Sequence, residues 1–248
     1  MHGAALTAAG LGGWRYQRLP VPPELFTETV QALPGANFRG LNVTIPHKQM
    51  ALMVADRATP TARAVGAANT LTFEADGSIE AENTDVTGLL EVLGDVAGCD
   101  ALVLGAGGAG RAAVHALRLA GAEDVMVWNR TPARAVALCA ALGGRPVERP
   151  GRADVVIQCT SMGLQDECHP FKALPVGADT FDAGSTVVDM VYSTGDTPFL
   201  AAARSRGADV ITGLEVLVAQ GAASFERWTG QTAPRETMRA AVQDRTPT

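Results

Sequence analysis

One lysine, one aspartate and several amide and hydroxyl residues stand at segment ends in the first half of this chain, where side chains are placed to do chemistry. Lys48 follows a short β-branched run in Gly40-Leu-Asn-Val-Thr-Ile-Pro-His-Lys48. Asn69 lies in Ala67-Ala-Asn-Thr70, and Asp85 in Glu82-Asn-Thr-Asp85. A lysine after a strand is ordinarily a solvated charge, and Asp or Thr before the apolar run Val86 to Leu93 reads equally as a helix N-cap. Lys48 does not stand alone, because amides, hydroxyls and a carboxylate lie at other segment ends in the same half of the chain.

A second candidate lies further on. Gly105-Ala-Gly-Gly-Ala-Gly110 satisfies Gly-x-Gly-x-x-Gly between an apolar strand and a helix. In that context the first glycine permits a tight turn, the second admits a pyrophosphate close to the backbone, and the third lets helix and strand pack closely. The helix N-terminus adds free N–H donors and the positive end of its dipole. The pattern predicts dinucleotide binding. Discrimination between NAD and NADP falls at the end of the next strand, where an NAD site carries an acidic residue for the ribose 2′-hydroxyl. Here that strand ends Trp128-Asn-Arg-Thr131, with Arg134 one helical turn on. Arginines there suit a 2′-phosphate through charge-assisted hydrogen bonds, which selects NADP.

The elements that must position these residues alternate along the chain. Strand-like runs at Ala101–Leu104, Val125–Trp128, Asp154–Cys159 and Thr186–Met190 are separated by helical stretches at Gly110–Ala120 and Pro132–Leu142, the latter with Thr131 as N-cap and Pro132 at its first position. That alternation predicts βαβ units on a parallel sheet. Before it come a helix over Glu24–Leu33, a strand over Leu41–Ile45, a helix from about His47 to Ala58 and an extended Ala68–Phe73. After it, Leu214 to Trp228 carries apolar residues at 214, 217, 218, 222, 225 and 228, one broad helical face. Gly143-Gly144 and the stretch 163 to 179 are expected to be irregular.

With 248 residues, 47% hydrophobic and 19% charged, the chain is long and apolar enough for one or two globular domains. Its net charge of −6 provides no general attraction to nucleic acid or an anionic membrane, so the expected partner is a small molecule. No apolar run approaches the roughly 18 residues of a spanning helix, and the N-terminus has no secretory pattern, so a cytoplasmic, reduced setting is expected. Cys99, Cys139, Cys159 and Cys168 show no metal-type spacing with the four histidines. The adjacent Cys168 and His169 are too few to hold a metal, and none is expected.

In order along the chain, the segments Asn42-Val-Thr-Ile-Pro-His-Lys48, Gly66-Ala-Ala-Asn-Thr70, Asn83-Thr-Asp85, Gly105–Gly110, Asn129-Arg-Thr131, Asp189-Met-Val-Tyr192, Thr197-Pro-Phe-Leu200 and Gly213–Gly230 resemble the motifs of shikimate dehydrogenases. The resemblance covers nearly the whole chain. It implies an α/β fold of two domains: an N-terminal α/β substrate-binding domain (1–84 and 214–248), and a Rossmann-type NADP-binding domain (85–213), with the active site in the cleft between them. Lys48 and Asp85 are similar to the family's catalytic pair. Thr44, Asn69, Tyr192 and Gln220, with Asp85, are similar to its substrate contacts. Gly105, Ala106, Gly107, Gly108, Ala109, Asn129, Arg130, Thr131, Arg134, Met190 and Gly213 match its cofactor contacts. The reaction implied is the reversible NADPH-dependent reduction of 3-dehydroshikimate to shikimate in aromatic amino-acid (chorismate) biosynthesis.

The chain also departs from that pattern. The family's first strand and its Ser-x-Ser turn, which binds the substrate carboxylate, have no counterpart ahead of Met1, and we expect Met1 to correspond to an internal methionine of a longer relative. Glu215-Val216 replaces a frequent Gly-Met near the nicotinamide side, and Pro60 stands near a frequent acidic position. Two further readings stand beside this one: a quinate/shikimate enzyme using NAD, against which no acidic residue follows Trp128, and a non-catalytic NADP-binding homologue, which the missing serine turn suggests. The assembly is open, a homodimer included.

Overall fold

The computed structural model of this chain describes residues 1–162, 171, 174–193 and 195–244. They belong to two units, one formed by Met1–Gly88 with Val218–Thr248 and the other by Leu89–Leu217. The observed divisions fall four residues beyond each expected boundary, one turn further into the helices 84–93 and 213–229.

The first unit runs through α1 (His2–Ala8), a 3₁₀ turn at Pro23–Leu25 continuing into α2 (Phe26–Ala32), β1 (Gly40–Asn42), α3 (Lys48–Val54), β2 (Arg57–Ala58), α4 (Pro60–Val65), β3 (Thr70–Phe73), β4 (Ile79–Glu82) and the start of α5 (Thr84–Leu93). Its sheet has the order β1-β3-β4-β2, antiparallel except for β4 with β2. Phe26, Val30 and Leu33 from α2 and its C-terminus pack with Val43, Leu71, Phe73 and Ile79 to form its core. Two expected elements are shorter than their patterns suggest. The strand expected over Leu41–Ile45 ends at Asn42, because after Val43 the chain turns away from the sheet, His47 N–H donating to Thr44 C=O at 2.9 Å. The helix expected to reach Ala58 stops at Val54, because Arg57 and Ala58 leave it to pair with Glu80 and Ala81 of β4. Thr59 then caps α4 by accepting from Ala62 N–H at 3.2 Å, with Pro60 at the first helical position.

The second unit contains β5 (Asp100–Leu104), α6 (Gly108–Leu119), β6 (Asp124–Trp128), α7 (Pro132–Leu142), β7 (Arg145–Pro146), β8 (Val155–Gln158), β9 (Thr186–Asp189), α8 (Pro198–Ser205) and β10 (Asp209–Ile211). All its strands are parallel, in the order β10-β9-β8-β5-β6-β7. From central β5 the chain builds outward through β6 and β7, then crosses to β8 and builds the other way through β9 and β10. The order reverses between β5 and β8, where a doubly wound sheet offers its ligand crevice. Four strands of this sheet coincide with the expected apolar runs to within one residue. The two-residue β7 and three-residue β10 were not expected. Thr131 stands at the N-cap of α7 but makes no side-chain capping bond; its carbonyl instead accepts from Arg134 N–H at 3.0 Å. Gly143 and Gly144 both have positive φ, +84° and +86°, as an irregular exit from α7 requires. Most of 163–179 lies outside the described residues, including Cys168 and His169.

α9 (Gly213–Thr229) and α10 (Arg235–Gln243) complete the fold. From Val218 onward, α9 lays Gln220, Ser224 and Trp228, spaced by four, on one face against the first sheet, where Trp228 Nε1 donates to Leu71 C=O at 3.0 Å. Gly40 leaves room for that indole; a Cβ there would overlap it. Among the described residues no helix is long and apolar enough to cross a membrane.

Asp189, at the end of β9, is 1% exposed. Its oxygens accept from Val191 N–H (3.0 Å) and from the Thr197 hydroxyl (2.6 Å), which in turn caps α8 by accepting from Leu200 N–H. Burial pushes its carboxyl up to about 6, against the opposing pull of those two hydrogen bonds. The folded state therefore holds a proton that the unfolded chain releases between about pH 4 and 6. Stability falls as pH rises through that window, by about 3 kcal/mol in all. Asp189→Asn is expected to match the wild type in urea unfolding at pH 4 and to exceed it by about 2–3 kcal/mol at pH 7.5; a difference that does not vary with pH would exclude this account.

Candidate active site

β1 and β4 both run antiparallel to β3, so the C-terminal ends of β1 and β4 flank the start of β3. Two backbone bonds fix this junction: Val43 N–H donates to Asn69 C=O at 2.7 Å, and Asn69 N–H to Glu82 C=O at 3.1 Å. Lys48 begins α3 just past β1, Asn69 precedes β3, and Asp85 lies in the first turn of α5 just past β4. Three residues distant in sequence are thereby delivered to one edge of the sheet. His47, which leads into Lys48, is itself held by a 2.9 Å contact to Val21 C=O and by stacking on Phe26, with ring centroids 4.5 Å apart.

Lys48 Nζ donates to Asp85 Oδ2 at 2.6 Å, with the two side chains 11% and 2% exposed. Asp85 Oδ1 accepts from Asn69 Nδ2 at 2.9 Å, and the same amide donates to Gln220 Oε1 of α9 at 3.2 Å. Asn69 Oδ1 accepts from Thr84 N–H at 2.7 Å. Of the residues expected at the site, Lys48, Asn69, Asp85 and Gln220 thus form one hydrogen-bonded cluster. Thr44 is exposed beyond β1 with no side-chain hydrogen bond among the described residues, and Tyr192 is exposed in the second unit beyond β9. The N-terminus of α5 is capped by Asn83, whose Oδ1 accepts from Val86 N–H at 3.3 Å, rather than by the threonine or aspartate. Both are thereby released for the site.

An ammonium hydrogen-bonded to a buried carboxylate, with its far oxygen held by an amide, is an acid–base group fixed in one direction. Pattern reading missed Thr70, Thr84 and Ser224, whose hydroxyls lie beside the two amides, and Asn42, whose amide donates to two of those hydroxyls. A usable signal did exist in the four-residue spacing of Gln220, Ser224 and Trp228 along α9.

In the second unit the glycine-rich turn sits between β5 and α6. Gly105 has φ +113° and donates its N–H to Trp128 C=O at 2.7 Å, joining the turn to the end of β6. Asn129 Oδ1 accepts from Ala106 N–H at 3.1 Å while its Nδ2 donates to Thr131 C=O at 2.9 Å. A Cβ on Gly110 would overlap the Gly105 carbonyl, whereas one on Gly107 would meet nothing within 4 Å. Gly107 is the N-cap of α6 with no side-chain capping bond, so Gly108 and Ala109 begin the helix with their N–H groups available to an anion. Arg130 and Arg134 are exposed and form no ion pair among the described residues, and no acidic residue occupies positions 128–131. These residues fit a phosphorylated dinucleotide. Half-buried Met190 follows β9, and Gly213 opens α9 against the Val191 carbonyl, where no Cβ would fit. Among the described residues no group of three histidine, cysteine or acidic side chains could hold a metal ion.

Residues 1–71 match the shikimate dehydrogenase substrate binding domain, residues 89–163 the shikimate / quinate 5-dehydrogenase family, and residues 213–243 the shikimate 5'-dehydrogenase C-terminal domain. A shikimate dehydrogenase (NADP(+)) of Methylobacterium radiotolerans is 40% identical, over 99% of this chain and 90% of its own length. Shikimate dehydrogenase from Aquifex aeolicus superposes with a TM-score of 0.89 at 32% identity, over 98% of this chain and 91% of the other. The Thermus thermophilus enzyme solved in complex with NADP(H) and shikimate gives 0.85 at 39% identity, over 98% and 92%.

The two glycines make separable predictions. Gly107→Ala adds a methyl to open space and should leave the unfolding midpoint unchanged while weakening dinucleotide binding at least about tenfold, since it obstructs the pyrophosphate's approach. Gly110→Ala forces turn and helix apart and should itself cost about 1–3 kcal/mol in denaturant unfolding. Equal binding by Gly107→Ala and wild type in a fluorescence titration would contradict this assignment of the turn.

Proposed function

The chain belongs to the shikimate dehydrogenase family, and from that premise we propose its reaction and the part each residue takes. It is an NADP-dependent oxidoreductase acting on a CH–OH group, and it catalyses the reversible reduction of 3-dehydroshikimate to shikimate in aromatic amino-acid biosynthesis. The observation that carries the reading is the buried Lys48–Asp85 pair, 2.6 Å apart, with Asn69 and Gln220 bonded around it.

When bound, NADPH supplies hydride to the ketone carbon. As negative charge grows on the ketone oxygen, the Lys48 ammonium stabilises it and delivers the proton that completes the alcohol; in the oxidative direction the lysine takes that proton back. Asp85 keeps Nζ aimed along one line and also receives a substrate hydroxyl, its second oxygen fixed by Asn69 Nδ2. Asn69, Gln220, Thr44 and Tyr192 hold the remaining polar groups of the substrate. For the cofactor, the N–H groups at the start of α6 serve the pyrophosphate, and Arg130 with Arg134 serve the 2′-phosphate, with Asn129 and Thr131 shaping the loop between them. Met190 and Gly213 border the nicotinamide side. We place the enzyme in the cytoplasm, in keeping with a biosynthetic reaction on a small charged molecule.

Lys48→Ala should lower kcat for shikimate oxidation by about 10²–10⁴ while leaving the Kd for NADP unchanged in a fluorescence titration; unaltered turnover would reject the assigned role. Arg130→Ala should reduce the preference for NADP over NAD by about ten- to a hundredfold in kcat/KM, the weight of a charge-assisted hydrogen bond. An unchanged ratio would move recognition of the 2′-phosphate elsewhere.

A further inference from the structure

Three hydroxyls meet beneath the amides of the site. Thr70 Oγ1 lies 2.8 Å from Ser224 Oγ and 3.1 Å from Thr84 Oγ1, and the last two are 3.2 Å apart. All three residues are buried, at 0%, 0% and 2% exposure for Thr70, Ser224 and Thr84. Among the described hydrogen bonds none of these hydroxyls reaches Lys48 or Asp85. Their outlets are Asn69 and Gln220.

A side-chain amide has nearly the same shape after a half-turn, so only the polarity of its neighbours decides which end faces which group. Asn69 Oδ1 receives Thr84 N–H at 2.7 Å, the Thr84 hydroxyl at 3.2 Å and the Thr70 hydroxyl at 3.3 Å. Turned over, the amide would set its NH₂ against these donors and its oxygen against the Asp85 carboxylate. The observed orientation sends Nδ2 to Asp85 and to Gln220 Oε1, and the Thr84 hydroxyl also approaches Gln220 Oε1 at 3.4 Å. Ser224 fixes the backbone beside this glutamine, donating to Gln220 C=O at 3.1 Å.

The direction of the cluster is set from its far side. Asn42 Nδ2 donates into it, to Ser224 at 2.9 Å and Thr70 at 3.3 Å, and Asn42 Oδ1 is in turn held by the Tyr16 hydroxyl at 3.0 Å. Each hydroxyl has one proton to give. With the Asn42 amide donating to Thr70 and Ser224, the Thr70 and Thr84 protons turn to Asn69 Oδ1 and the Ser224 proton to the Gln220 C=O.

We propose that Thr70, Thr84 and Ser224 are positioning residues that fix the orientation of Asn69 and Gln220 for substrate binding. The proposal rests on the reading of those two amides as shikimate contacts. It predicts an effect on substrate affinity that is separable from stability, cofactor binding and proton transfer.

The test is steady-state shikimate oxidation by Thr84→Val, Thr84→Ser and Ser224→Ala, with thermal unfolding and NADP titration alongside. Thr84→Val keeps the shape and the backbone N–H but loses the hydroxyl. It should raise the KM for shikimate by about tenfold, the weight of one lost hydrogen bond. The KM for NADP and the apparent pKa of the kcat profile should not change. Thr84→Ser should restore most of the affinity. Ser224→Ala, which acts through one carbonyl, should raise the shikimate KM by about threefold and carries the test alone if Thr84→Val does not fold. Shikimate KM values equal to wild type, or equal losses in Thr84→Ser and Thr84→Val, would overturn the positioning role. A wild type that fails to oxidise shikimate would instead defeat the functional reading beneath it.

Discussion

Lys48 and Asp85 are withdrawn from water as a pair, and an ion pair so placed persists only while its remaining hydrogen-bonding capacity is met. That requirement reaches well beyond the two residues. The carboxylate's second oxygen needs a donor, which is Asn69; the amide of Asn69 needs its own oxygen satisfied, which falls to Thr84 and Thr70; and its second N–H needs Gln220 on α9. α9 therefore lies against the first sheet for a polar reason as well as an apolar one, with Gln220, Ser224 and Trp228 on its sheet-facing side. The chain closes back on its own beginning through bonds whose partners are as much as 182 residues apart.

In the second unit the corresponding constraint is steric. Six parallel strands reverse order between β5 and β8, and the turn after β5 must bring a helix close to the strand it leaves. Gly110 makes that approach possible and Gly107 keeps the surface beside it open, so one glycine serves packing while the other leaves the room that the proposed cofactor site requires. The arginines proposed to bind the 2′-phosphate stand after β6, at the neighbouring strand end. Asn129 links them, spanning from the Ala106 N–H of the glycine turn to the Thr131 carbonyl.

Local features of this architecture were legible in the chain alone. The β5–turn–α6 unit is encoded within a few residues, and the central strands are apolar enough to be recognised wherever they pair. Lys48 and Asp85 stand at segment ends, where each reads equally as a solvated charge or a helix cap, and the resemblance to a known family is what paired them. What could not be read depends on distant partners. Arg57 and Ala58 look helical until β4 offers them a ladder, and β7 and β10 are too short to show a period. Asn83 rather than its neighbours caps α5 because Asn69 recruits Thr84 and Asp85 from the other side. Ser224 lies within the Gly213–Gly230 motif and on the Gln220–Trp228 face, but its role shows only where Thr70, 154 residues away, lies beside it.

The central claim is that Lys48 and Asp85 act as one unit in proton transfer, neither functioning without the other. A double-mutant cycle of kcat for shikimate oxidation measures this directly, using Lys48→Met, Asp85→Asn and the combined variant. The account predicts that the double variant is no slower than the slower single variant, each substitution alone having already disabled the unit. Losses that multiply, so that the double variant falls by the product of the two single effects, would show two independent contributions and contradict it.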